Sequence, residues 1–316
     1  MNGFRIGTRR SPLAMVQAEW VQGRIREHHP RTAVEIVPIR TSGDRFQNVP
    51  IEQIGAKGVF IKEIEEALLR GDVDVAVHSM KDLPTELPEG LAIAAVPERE
   101  NPADVLVSRI AGSLDALPAG ARIGTGSLRR RAQLLYHRPD LTVVPIRGNV
   151  GTRIAKLDRG EVDALVLALA GLTRLGRAHE ATQLLPLETC MSAVAQGALG
   201  LETRGAEVER LRFLDHAPSA LEVAAERAFL ARLEGGCQVP VGARAVVRGD
   251  RLALTGMVAE VSGRQVFTGE LSGASADAVL LGTRLAERLL AGGGGGGLRG
   301  GRRGRGAGAW LGGARR

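Results

Sequence analysis

Short apolar runs alternate with amphipathic stretches along most of this chain. Phe4-Arg5-Ile6 reads as a short strand that leads into a loop, Gly7-Thr8-Arg9-Arg10-Ser11-Pro12. Ser11 suits a helix N-cap and Pro12 the first helical position. The helix they open is expected to run through Leu13, Val16, Gln17, Trp20, Val21 and Arg24. Val34 to Ile39 is the next strand. From Ile61 to Leu69 the spacing predicts a helix, with Ile61, Ile64 and Leu68 on one face and Lys62, Glu63, Glu65 and Glu66 mostly on the other. Val73 to Val77 reads as a buried strand. Strands that alternate with helices in this way predict an α/β fold.

The same phrases return in the same order. Ile6-Gly7-Thr8 is echoed by Ile123-Gly124-Thr125, Pro38-Ile39-Arg40 by Pro145-Ile146-Arg147, and Arg70-Gly71-Asp72-Val73-Asp74 by Arg159-Gly160-Glu161-Val162-Asp163. The offset shrinks from 117 to 107 to 89 residues, so the second copy has shorter loops. Two similar α/β domains with a cleft between them follow, and ligands of such sheets bind beyond the carboxyl ends of the strands. A third segment begins near Pro218. A helix over Leu221 to Leu233, with Ala224, Ala225, Ala228 and Phe229 as apolar positions, precedes alternating runs at Val239–Val247, Arg251–Val258 and Gln265–Leu271. A closing helix over Ala276 to Leu290 completes a small α+β domain.

Composition sharpens the reading. The 316 residues suffice for two or three domains, and with aromatics at 3% the cores must be built from Val, Leu, Ile and Ala. No apolar run reaches membrane-spanning length. Two cysteines and an N-terminus without a signal pattern lead us to expect a cytoplasmic protein. The formal charge of +7 suggests a nucleic-acid binder, but residues 292–316 hold six arginines, thirteen of the 42 glycines and no acid. Without them, 36 basic residues face 35 acids. The tail reads as a disordered appendage. Arginine-glycine segments can bind RNA, but no nucleic-acid partner is expected for the body.

Arginines dominate the basic residues, 38 against four lysines. Arg9 and Arg10 flank one helix start, and Ser127-Leu128-Arg129-Arg130-Arg131 supplies a second, with Ser127 as cap. Arg147 precedes Gly148-Asn149, Arg153 follows within about one helical turn, and Arg174 lies just past a buried strand. Helix N-termini and guanidiniums both favour anions. Such clusters facing one cleft predict a ligand with several carboxylates or phosphates, and the absence of a nucleotide-binding glycine pattern favours carboxylates. Val75-Ala76-Val77-His78-Ser79-Met80-Lys81-Asp82-Leu83-Pro84 is a strand that delivers polar groups at its carboxyl end. Asp82 beside Lys81 is either an ordinary surface pair or an acid–base group tuned by its neighbour. His78 has no partner at metal-ligand spacing, and no metal is expected. Cys237, in Leu233-Glu234-Gly235-Gly236-Cys237-Gln238-Val239-Pro240, sits in a glycine-thinned loop. It is either a small buried hydrophobe or a thiol that a large group can approach.

Taken together, Thr8-Arg9-Arg10-Ser11-Pro12-Leu13-Ala14, Gly58-Val59-Phe60, His78-Ser79-Met80-Lys81-Asp82, Ser127-Leu128-Arg129-Arg130, Ile146-Arg147-Gly148-Asn149-Val150-Gly151-Thr152-Arg153, Gln196-Gly197-Ala198 and the Cys237 run resemble the porphobilinogen deaminases, also called hydroxymethylbilane synthases, from residue 4 to about 290. The resemblance implies a transferase of tetrapyrrole and heme biosynthesis. Four porphobilinogen molecules would add head to tail, each losing ammonia through a reactive azafulvene, to a dipyrromethane cofactor held by Cys237 through a thioether. Water would then release hydroxymethylbilane. It further implies Asp82 as the catalytic carboxylate. Lys81, Asp82, Ser127, Arg129, Arg130 and Arg153 would contact the cofactor, and Arg9, Ser11, Arg147, Arg153 and Arg174 would hold substrate. The implied fold is two periplasmic-binding-protein-like α/β domains plus a small α+β C-terminal domain. Residues 1–98 with 195–215 would form the first, 99–194 the second and 216–291 the third, with 292–316 as the tail. A monomer is expected. Three departures stand out: Ala195 where glycine is common, which would stiffen a hinge, Gln53 where a loop lysine often occurs, and the tail. The alternative to catalysis is a small-anion-binding protein on the same scaffold. It accounts for the repeat and the arginines but leaves Cys237 and Asp82 without a role.

Overall fold

A computed structural model describes residues 3–42, 61–233 and 240–294. Cys237, Gly58-Val59-Phe60, Gln53 and the tail from residue 295 lie outside the described residues. The first run of elements is β1 (Phe4–Arg9), α1 (Pro12–His28), β2 (Val34–Ile39), α2 (Lys62–Arg70), β3 (Val75–Ser79) and β4 (Leu91–Ala95). The second is β5 (Asp104–Ser108), β6 (Arg122–Gly124), α3 (Leu128–His137), β7 (Thr142–Val144), α4 (Val150–Asp158), β8 (Ala164–Ala168), α5 (Leu169–Arg174) and β9 (Gln183–Leu184). Then come β10 (Leu199–Arg204), a 3₁₀ stretch (Gly205–Leu214), α6 (Ala217–Leu233), β11 (Val241–Arg248), β12 (Arg251–Ala259), β13 (Val266–Ala274) and α7 (Ala278–Leu289).

Two five-stranded sheets share one plan, β2-β1-β3-β10-β4 and β7-β6-β8-β5-β9. The first three strands of each are parallel. The fourth is antiparallel, and it is the strand by which the chain arrives from the other lobe: β5 against β8, and β10 against β3. The repeat read from the sequence is thus an architectural one, and it persists at atomic level. Arg5 gives its amide and Nε to Asp74 Oδ2 at 2.9 and 3.1 Å and Nη2 to Gly71 O at 2.7 Å. Arg122 gives the corresponding groups to Asp163 Oδ2 at 2.7 and 3.1 Å and to Gly160 O at 2.9 Å.

Some local expectations shift. β1 continues through Gly7-Thr8-Arg9, because these residues keep their register with Val37, Pro38 and Ile39. Pro38 is tolerated because β2 is an edge strand. α1 buries Ala14, Gln17, Ala18, Val21 and Ile25, whereas Trp20 is 44% exposed. Small residues set the close helix–sheet approach and leave no room for an indole, which instead lies under the Arg24 guanidinium at 5.9 Å. β3 begins at Val75 rather than Val73, because left-handed Gly71 (φ 75°) closes α2 and holds Val73 in the following turn.

The third unit packs α6 and α7 on the antiparallel sheet β11-β12-β13. Its core joins Val223, Phe229, Leu252, Leu254, Leu281 and Leu285. Gly256 makes room for Phe229, whose ring would lie 2.6 Å from a Cβ at that position. α6 starts four residues before the expected Leu221, since Pro218 is accommodated in a first helical turn. Among the described residues, no helix is long and apolar enough to cross a membrane.

Candidate active site

β3 delivers its chain into one 3₁₀ turn, Met80–Asp82. The Met80 side chain is buried, and its amide donates to the Ala198 carbonyl at 3.0 Å. Beyond the turn, Arg227 of α6 donates to the carbonyls of Leu83, Pro84 and Thr85 at 3.3, 2.6 and 3.2 Å. With both flanks tied, Lys81 and Asp82 are turned outward as exposed residues. Much of Lys81 is exposed, yet the protein around its head withdraws the ammonium from bulk water and lowers its pKa to about 8. Asp82 opposes this shift, and the Arg130 charge reinforces it. The matching exit in the second lobe, β8 into α5, carries Leu169-Ala170-Gly171, so the acid-bearing turn is peculiar to one copy of the repeat.

Facing this turn is an ion cluster. Asp104, the first residue of β5, accepts from Arg129 Nη2 and Arg130 Nη2, each at 2.8 Å, and from Gln196 Nε2 at 2.7 Å. Burial alone would raise the Asp104 pKa, but the two guanidiniums outweigh it and hold the carboxyl well below the usual carboxylate range. This corrects the expectation that Arg129 and Arg130 stand open to the cleft: each is only 6% exposed. A second carbonyl acceptor fixes each of them, Met191 O for Arg129 and Val166 O for Arg130. Their charges still reach the cleft, through Lys81 and Arg153. Arg10 and Arg131 are likewise turned to backbone carbonyls, those of Pro38 and Val143.

The helix starts at Ser11 and Ser127 behave as expected, and Asn149 caps a third. Ser11 Oγ accepts from the Ala14 amide at 3.3 Å, Ser127 Oγ from Arg130 at 3.4 Å, and Asn149 Oδ1 from Thr152 at 2.9 Å. Arg153, on the first turn of α4, donates Nε to Gly148 O at 2.8 Å. Its pKa is lowered to about 10, first by burial and then by Arg130 and Arg147, while Asp82 opposes the shift. Arg153, Arg147, Arg130 and Asp82 therefore share one electrostatic neighbourhood across the two lobes. Arg174, at the end of α5, donates Nη2 to Gly197 O at 2.7 Å, and burial lowers its pKa. Arg9 ends β1, half-buried beside Ser11. The lobes meet where Leu13 of α1 approaches Gly171 of α5.

One residue that shapes this site, Asp104, was not singled out in the sequence, and the partners of Gln196 and His78 were not foreseen. Asp104 opens the apolar run Val-Leu-Val, a position where an acid needs a buried cationic partner; that signal was readable. Gln196 links Asp104 to Lys81, whose Nζ lies 3.4 Å from its Oε1. Behind β3, buried His78 meets Glu202 at 3.1 Å, with buried Glu65 close enough that burial first, and then Glu202, raises its pKa.

Comparison with known proteins identifies the family. Residues 4–211 match the family described as porphobilinogen deaminase, dipyromethane cofactor binding domain, and residues 220–291 match porphobilinogen deaminase, C-terminal domain. The porphobilinogen deaminase of Pelotomaculum thermopropionicum is 55% identical over 288 residues, 90% of this chain and 92% of that protein. That of Syntrophus aciditrophicus is 55% identical over 294 residues, covering 92% and 96%. Among solved structures, the methionine binding protein MetQ aligns at 15% identity with a TM-score of 0.44, covering 72% of this chain and 95% of that one, a likeness on which nothing is built. These findings lend no support to a non-catalytic anion receptor. With both family domains matched in order and the relatives covered almost end to end, the chain belongs to the porphobilinogen deaminase family.

Proposed function

We propose that the space between the two lobes is the condensation site of this hydroxymethylbilane synthase, with Asp82 as catalytic carboxylate and Cys237 as anchor of the family's dipyrromethane cofactor. The observation that carries the reading is the placement of Asp82 on a turn tied at both ends, within the field of Lys81 and Arg153. Cations crowded enough to lower one another's pKa are stabilised by a ligand that brings several carboxylates, and a pair of pyrroles with acetate and propionate arms fits that requirement.

When bound, the dipyrromethane supplies the pyrrole end to which substrate units join. Lys81, Asp82, Ser127 and Arg153 hold it, and Arg129 and Arg130 add positive potential from their buried cluster. Arg9, Ser11, Arg147, Arg153 and Arg174 bind the carboxylates of incoming porphobilinogen. Asp82 accepts a pyrrole N–H and supports positive charge on that ring as the amine departs as ammonia. A carboxylate can do this and a cation cannot. Asp82 also passes a proton to the leaving amine and takes one back from the new ring junction.

We assign the units to residues 1–98 with 195–215, 99–194, and 216–291, followed by the tail. The enzyme works as a cytoplasmic monomer that does not engage nucleic acid. Intact mass tests the anchor. Protein purified from cells that make porphobilinogen should exceed its sequence mass by two linked pyrroles, and the excess should vanish in Cys237→Ser. An unmodified wild-type mass, or holoenzyme that releases no ammonia from porphobilinogen, rules the reading out.

A further inference from the structure

Two consecutive residues of α6 reach out of the third unit in different directions. Arg227 holds the carbonyls just after Asp82. Glu226 is fully buried, and both its oxygens are doubly engaged. Oε1 accepts from Arg99 Nη1 at 2.7 Å and from the Ala245 amide at 2.8 Å. Oε2 accepts from Arg99 Nη2 at 2.9 Å and from the Ala195 amide at 2.6 Å. Arg99 lies on the passage from the first lobe to the second and Ala195 on the passage back. Arg99 joins the two again through Nε to Gln196 O at 2.8 Å.

Ala195 is the one non-glycine residue with positive φ (57°) among the described residues. That conformation is costly for a residue with a Cβ and persists only where the surroundings impose it. From Ala195 the contacts run on without a gap. The Ala198 amide donates to Ala195 O at 3.2 Å, and Ala198 O receives the Met80 amide that seats the Asp82 turn. Between them, Gln196 holds Asp104, and Gly197 O holds Arg174.

We propose that Glu226 is a positioning residue for the condensation. By holding Ala195 in its left-handed conformation, it sets the 195–198 segment and through it the Asp82 turn. The proposal rests on the proposed roles of Asp82 and Cys237.

The test separates positioning from ordinary structural support. In Glu226→Gln one end of the side chain must present N–H groups to other N–H groups, so the Ala195 or Ala245 amide loses its acceptor. Turnover should fall about tenfold, within the range that misplacement of reacting groups produces, with KM changing less. The melting temperature should fall as well, and amide exchange over 195–198 should quicken. Adding Ala195→Gly should then restore most of the turnover and the exchange protection, because glycine adopts positive φ without a Cβ cost. The melting temperature should stay low, because the Arg99 pairing is still impaired. Recovery of neither, or recovery of activity and melting temperature in step, overturns the proposal, as does full turnover in Glu226→Gln. If that variant does not fold, Glu226→Asp, whose shortened acid cannot reach all four donors, takes its place with the same criteria. A wild-type holoenzyme without attached pyrroles or deaminase turnover would instead refute the proposed function, while the exchange measurement would still report on Ala195.

Discussion

Gln196, on the passage back to the first lobe, donates across 2.7 Å to Asp104, the first residue of β5. The same carboxylate pairs with both Arg129 and Arg130 and offsets one of their two charges, so one buried acid ties the second lobe's first helix to both passages. Removing one member of a buried ionic set leaves an uncompensated charge. Asp104→Asn should therefore cost about 3–5 kcal/mol in urea unfolding. The sign with pH follows from the depressed carboxyl. Its stabilisation is complete above the unfolded value of about 4 and is lost as pH falls from there toward the lower folded value. The gap between wild type and Asp104→Asn should thus narrow below that pH; a constant gap would show that the charge is not what matters.

Lys81 predicts an alkaline limb. Its ammonium is charged below about 8 and neutral above, chiefly because of burial. If it holds carboxylates of the growing chain, kcat/KM should decline as pH rises through that value. Lys81→Arg, which stays charged throughout, should move the limb upward. An unchanged limb in that variant assigns it to another group.

For Asp82, replacement by Asn keeps the shape of the side chain but removes its charge and its capacity to carry a proton. Turnover should drop by about 10²–10⁴-fold, the usual contribution of general acid–base catalysis. Intact mass should show that the variant still carries two pyrroles. Near-normal turnover removes Asp82 from the mechanism.

The glycine-arginine tail is predicted to be dispensable. Truncation after Ala291 should leave kcat and KM at wild-type values. A large loss of either would give the tail a part in the reaction.

What the sequence disclosed and what it hid divide along physical lines. Repeats and caps are local, and they were legible: Ser11 and Ser127 both cap as their identities suggest. The echo of Arg70–Asp74 at Arg159–Asp163 proved to be the same ion pair built twice. Partnerships between distant residues were not legible. Arg129 and Arg130 read as open anion binders because nothing within their own helix reveals Asp104, 25 residues earlier. The buried pair of Glu226 and Arg99 spans 127 residues. Trp20 misled because periodicity marks a face but not how closely the sheet approaches it.

The exchanged fourth strands have a practical consequence. Each sheet has its fourth position filled by the strand on which the chain arrives from the other lobe, but only the first lobe is discontinuous: its β10 comes after the whole of the second lobe, whereas residues 104–184 supply all five strands of the second sheet. A first lobe ended before Asp104 would lack β10 and so bare the ladders of β3 and β4. Two passages running side by side also act as a double strap. They permit the lobes to tilt about the line through both and resist rotation of one lobe over the other.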